Sequence, residues 1–169
     1  MDNQEKVIMD TLPRLLRYLA QHNVPYWHDV HPVAYTAVDV AAAEHVPTHS
    51  IAKTIVFRTE HGYGMAVLPG DSRVDVAELR AELGAHSLRL ATEQELSALF
   101  VGSCELGAMP PFGNGTLFDL PVYVDSKLTT ETEIAVNAGT HHDVVRLPYE
   151  EFARLVKPHV LQFAQAAGA

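Results

Sequence analysis

Residues 52–70, AKTIVFRTEHGYGMAVLPG, decide how the chain is read. AKTIVFRT is a short run of β-branched and aromatic residues, and MAVLPG is a second apolar run separated from it by EHGYG. Two such runs around a glycine-bearing connection predict a β-hairpin turning through Gly62 and Gly64. Upstream, YTAVDVAAAEHVP reads as a helix with Thr36 as N-cap and Asp39 three residues on, ended by Pro47. Downstream, RVDVAELRAELG reads as a helix closed by Gly84, HSLRL as a short strand, and ATEQELSALF as a helix whose Thr92 and Glu95 have capping-box spacing.

Further out, Leu12, Leu15, Leu16 and Leu19 recur at helical spacing behind Thr11, so an opening helix runs to about Gln21, with Pro13 tolerated in its first turn. VPYWHDVHP is extended, and LPVYVD, EIAVNAG and DVVRL are three more strands. PYEEFARLVKPHVLQFA closes the chain as one helix, or as two broken near Pro158. Strands and helices interleave without a strict βαβ period. The expected fold is therefore α/β or α+β, a mixed β-sheet partly covered by helices, in a single domain over residues 1–169.

Composition narrows the function classes. Of 169 residues, 47% are hydrophobic and 20% charged, which suits a packed domain and not a disordered chain. MDNQEKVIMD has neither the basic start nor the apolar middle of a signal peptide, and no run approaches a membrane span, so no membrane partner is expected. Cys104, the lone cysteine, suits a reducing cytoplasm. The net charge of −9 argues against broad binding to a phosphate backbone; any nucleic acid must be held locally.

Three stretches can carry chemistry. ELGAMPPFGN combines Gly107 and Gly113 with Pro110 and Pro111, a stiff loop able to form a pocket wall or simply a structural turn. Lys53 sits in an otherwise apolar strand and either snorkels from its end or projects into a cleft. NAGTHHDVV places His141 after Gly139, between two strands, where an imidazole can relay a proton or fill a satisfied site. Metal ligation by Glu44, His45 and His49 is disfavoured because Pro47 interrupts the helix that would align them. Ser103 and Cys104 lack the motif of a covalent nucleophile, and no nucleotide-binding glycine motif occurs.

In this order, the AKT lysine, VLPGDSRVDVAELRAELGAHSLRLATEQEL, the glycine-x-x-x-proline loop followed by FG, LPVYVD and glycine-threonine-histidine, the chain resembles the YbaK-type aminoacyl-tRNA deacylases. That family is similar to the editing domain of bacterial prolyl-tRNA synthetases and includes free-standing editing proteins; the resemblance spans about residues 26–157. It implies a trans-editing ester hydrolase for mischarged tRNA carrying a small amino acid, alanine on proline tRNA being favoured, with no metal or cofactor. The acidic balance separately suggests weak tRNA capture, or capture assisted by a partner such as a synthetase or elongation factor. Lys53 and His141 match its functional lysine and histidine. Gly107, Ala108, Met109, Pro110, Pro111, Gly139 and Thr140 fall on its substrate-binding segments, and the amides of Ala108 or Met109 are expected to donate to the developing oxyanion. Pro110 replaces a serine frequent in the family, which bears on the amino acid accepted. A non-catalytic binding module of the same fold is the alternative.

Overall fold

A computed structural model describes residues 10–167; Met1–Met9, part of the stretch read above for a leader, lie outside the described residues. The hairpin forms, but its turn is Glu60–His61, and Gly64 lies within the second strand opposite Phe57, whose ring leaves no room for a Cβ there. Strand β2 (Ala52–Thr59) pairs antiparallel with β3 (Gly62–Pro69) from Ala52↔Pro69 to Thr59↔Gly62, and Gly62 follows the turn at φ +127°, a conformation that disfavours side chains. Short β5 (Leu88–Leu90) adds antiparallel to β2, β6 (Val122–Asp125) adds parallel to β3, and β9 (His159–Leu161) adds parallel to β6. The resulting five-stranded sheet, in the order β5-β2-β3-β6-β9, is mixed.

The strands do not all join this sheet. β1 (Trp27–Val30), β8 (Asp143–Pro148) and β7 (Glu133–Asn137) form a separate antiparallel sheet in that order, and β10 (Ala164–Ala166) pairs with β4 (Ser72–Val74) as a ribbon. A parallel bridge, Ile51 to Ala135, joins the two larger sheets where β2 begins. Two residues beyond the bridge come Lys53 on one strand and Asn137 on the other.

Side-chain alternation along β2 divides the interior. Ala52 and Val56 face a central core with Met65, Val67, Val122 and Val124, covered by α1 (Thr11–Gln21) through Leu15 and Leu19 and by α5 (Tyr149–Val156) through Phe152 and Val156. Phe57 faces the other side with Ala66 and Leu68, beneath Leu79 of α3 (Val76–Leu83) and Phe163. A third cluster lies under α2 (Ala37–Glu44), where Val40 and Ala41 meet Ile51, Ala135 and Val144. Caps start the helices as the residue types dictate: Thr36 accepts from the Asp39 amide, and Thr92 and Glu95 close the capping box of α4 (Glu93–Leu99).

Two further boundaries differ from the sequence reading. Arg73 lies in β4, and α3 starts later because Asp75 caps it, accepting from the Glu78 amide at 3.0 Å. The chain after Pro158 is not a second helix. Lys157 turns left-handed at φ 53°, Pro158 cannot donate, and β9 and β10 follow, pinned by the Phe163 and Ala164 amides, both 2.8 Å from buried Asp125 Oδ1. Residues Ser126–Thr130, given no element above, form a 3-10 helix. No helix among the described residues is long and apolar enough to cross a membrane.

Candidate functional site

The loop after α4 and the turn between β7 and β8 are stitched together by their backbones. The Glu105 amide donates to Gly139 O at 2.8 Å, and the Gly139 amide donates to Ala108 O at 2.9 Å. Over this seam lies His141. Its Nε2 is 2.7 Å from Leu106 O and 4.0 Å from Glu105 Oε2, and because a carbonyl only accepts, Nε2 carries a proton. Nδ1 is buried without a partner among the described residues. Glu105 completes the clamp by accepting the His141 amide at 3.0 Å.

Beneath the clamp the loop is packed rather than open. Ala108, Met109, Pro110 and Pro111 are buried, Met109 and Phe112 within the central core, so of residues 106–113 only Leu106 and Gly107 are exposed. The prolines thus act as a stiff floor from below. Gly107 has φ +82°, and a Cβ there would stand 3.7 Å from His141 Cε1. Of the two amides expected to be free donors, Ala108 is already committed to Glu105 O at 3.1 Å, because the chain makes a tight turn there. Met109 makes no amide hydrogen bond among the described residues, and Pro110 and Pro111 have no N–H.

Gly139 and Thr140 shape the other side. Thr140 Oγ1 donates to Asp143 Oδ2 at 2.6 Å and accepts from the His142 amide at 3.0 Å. His28 of β1 holds the other Asp143 oxygen, Nε2 to Oδ1 at 2.7 Å. This network fixes the turn that presents His141. His142 instead points its Nδ1 toward His31 O at 3.4 Å, outside the clamp.

Lys53 is not hydrogen-bonded or ion-paired to this group among the described residues. It pairs across the hairpin with Leu68, on the face opposite the central core, while its neighbour Thr54 turns a buried, unpartnered hydroxyl toward the core side. The start of α2 connects the two regions. A Cβ at Gly70 would lie 2.8 Å from Ala37 Cβ and 3.0 Å from Ile51 Cβ, and Tyr35, two residues before Ala37, rests its ring 4.7 Å from that of His141. Burial lowers the Lys53 pKa, and nearby Asp71 opposes that shift.

Other chemistries find little support among the described residues. No group of three or more His, Cys, Asp or Glu side chains gathers as metal ligands. His49 is spent on Glu131 at 2.5 Å. Burial raises the Cys104 thiol, and Ser103 Oγ donates to Phe100 O at 3.1 Å, so neither resembles an activated nucleophile. Tyr35, Glu105, Thr54 and the His28–Asp143 pair escaped the sequence reading. Only Glu105, immediately before the loop, carried a positional signal; the others are brought in by pairing of distant strands.

Fold and site define a domain of the mixed α/β class in which a proline-floored loop is clamped by an imidazole at the meeting of two sheets. The chain belongs to the aminoacyl-tRNA editing domain family, which matches residues 31–155. It is 26% identical over 163 residues to the Multifunctional Ser/Thr-tRNA deacylase ProXp-y of Escherichia coli, covering 93% of this chain and 95% of that one. It is 24% identical over 153 residues to the Prolyl-tRNA editing protein ProX of Acetoanaerobium sticklandii, covering 88% and 92%. An 82-residue segment is 34% identical to the proline–tRNA ligase of Thermosipho africanus, covering 48% of this chain and only 14% of the ligase. A solved structure described as a candidate trans-editing enzyme for prolyl-tRNA synthetase superposes with a TM-score of 0.78 at 24% identity, covering 92% and 98%, a likeness of fold.

Proposed function

We propose that this chain hydrolyses the ester of mischarged tRNA in trans, releasing a small amino acid. The observation that carries the reading is the 2.7 Å hydrogen bond from His141 to Leu106 O, which holds the exposed Leu106–Gly107 edge rigid over a buried proline floor. One methylene separates small amino acids by only about 1–3 kcal/mol in an apolar pocket, so discrimination needs a wall that does not yield. Family membership supports the activity, and the names of the two full-length relatives support mischarged tRNA as the substrate.

An aminoacyl ester is already activated, so the protein's work is positioning and stabilisation of the developing oxyanion. With Ser103 and Cys104 unsuited to attack, the nucleophile is a water, which the ribose hydroxyl beside the ester can help to position: the water oxygen adds to the ester carbonyl, and the esterified ribose oxygen leaves and takes up a proton. The Leu106 and Gly107 amides, on the exposed edge and without hydrogen bonds among the described residues, are the loop donors left for the oxyanion, since Met109 is buried. His141, its Nε2 proton held by Leu106 O, orients the loop. Lys53, in β2 near Asp71, supplies a cation for the phosphate of the terminal nucleotide. Alanine on proline tRNA is the first substrate to test. A synthetase or elongation factor delivering the tRNA would offset the adverse net charge.

The deciding experiment is hydrolysis of a panel of tRNAs charged with alanine, serine, threonine or cysteine by the wild type and Lys53→Ala, with and without chelator. Cleavage of at least one, insensitive to chelator and lost in folded Lys53→Ala, is the expected result. No cleavage across the panel refutes the activity and leaves a binding module.

A further inference from the structure

Tyr35 is 74% exposed, although its ring is large and apolar enough to repay burial. Its position is not adventitious. The ring leans against the clamped His141 imidazole, centroids 4.7 Å apart and planes tilted by 54°, the Ala34 amide ties its segment to His141 O at 3.1 Å, and Thr36 anchors the following residues as the α2 cap. The ring is therefore braced from the His141 side while most of its surface stays open. Leu106, whose carbonyl meets the same imidazole, is itself 40% exposed.

We propose that Tyr35, backed by His141, is the stacking platform for the base of the tRNA's terminal nucleotide, an inference that rests on the deacylase reading. The order of groups follows the substrate's covalent order. The loop edge at Gly107 adjoins His141, and His141 adjoins Tyr35, as the aminoacyl ester adjoins the ribose and the ribose its base. A π-face accepts any base, so the platform adds affinity without needing positive charge, which an acidic protein lacks. It also holds the ester in register with the loop while leaving amino-acid choice to the floor beneath.

The test is fluorescence anisotropy of a labelled uncharged RNA hairpin ending in CCA, alongside the same hairpin with an abasic 3′ nucleotide. Tyr35→Phe should bind the intact hairpin within about twofold of wild type and Tyr35→Ala about tenfold more weakly. Removing the base should weaken wild type by a similar factor and abolish the difference between wild type and Tyr35→Ala, an overlap that a folding defect does not produce. Equal binding of the intact hairpin by wild type and Tyr35→Ala, additive losses, or failure of wild type to hold either hairpin overturns the proposal. Free 5′-AMP held more tightly than the hairpin assigns the ring to a free nucleotide and overturns it too. Ring-dependent binding without hydrolysis of any mischarged tRNA sinks the catalytic reading alone; hydrolysis with unchanged Tyr35→Ala binding sinks the platform alone.

Discussion

Gly107→Ala and Gly115→Ala together isolate what the loop edge does. Both glycines have φ +82°. The new Cβ would meet only His141 Cε1 at 3.7 Å at position 107, an ordinary contact, and nothing within 4 Å at position 115. Steric overlap is therefore absent in both, and what remains is the backbone penalty for a side chain in the left-handed region, about 1–2 kcal/mol each. At about 2–4 °C per kcal/mol for a domain of this size, each variant should melt roughly 2–8 °C lower. Their activities should separate. Relaxation at Gly107 shifts the Leu106 carbonyl that His141 holds, and a small displacement of a positioning loop can cost on the order of 100-fold; Gly115, with its amide bonded to Phe118 O, lies in the later part of the loop. Single-turnover deacylation set beside calorimetric melting reads both effects. Equal activities at equal destabilisation would refute the clamped edge, and an unchanged melting temperature for Gly107→Ala would refute the strain.

Three further outcomes are expected. His141→Ala removes the clamp and should slow turnover at least tenfold, while His141→Gln, able to donate again to Leu106 O, should recover part of it; identical rates in the two variants would discard the hydrogen bond as the active feature. Because burial lowers the Lys53 pKa, its ammonium loses its proton earlier than an ordinary lysine as pH rises, so KM should climb on the alkaline side in wild type and stay level in Lys53→Arg; parallel profiles would remove Lys53 from phosphate binding. Burial, with the hydrogen bond and charge of Asp29, pushes Glu44 up to about 7 against the pull of Arg146. Its native pKa exceeds its unfolded one, so its contribution is complete at low pH and is lost as pH rises through about 7. Glu44→Gln should accordingly match wild type near pH 5 and exceed it by about 1 kcal/mol at pH 8 after allowance for solvent screening, as urea melts at the two pH values would show.

Much of the secondary structure was legible because its causes are local. The hairpin follows from two β-branched runs around Gly62, and the starts of α2 and α4 follow from Thr36 and Thr92, whose caps need only the next three residues. The tail was misread for the converse reason. Val160, Leu161 and Phe163 suit a helix or a strand equally, and the choice falls to β6 and Asp125, remote in sequence, which supply a parallel edge and an acceptor. A single sheet was expected because alternation marks strands without naming their partners.

The sequence by itself determined the stiffness of the Gly107–Pro111 loop, the lone cysteine, the acidic balance and the ordered motifs shared with the editing family, since each is a property of residue types and their spacing. Only the tertiary structure decided that His141 closes on Leu106, that Ala108 spends its amide on Glu105, that Tyr35 lies open beside the imidazole, and that Lys53 falls on the hairpin face opposite the central core. Those arrangements depend on the Ile51–Ala135 bridge and on turns joined across 30 residues or more, where hydrogen-bond geometry, not local propensity, selects the partner.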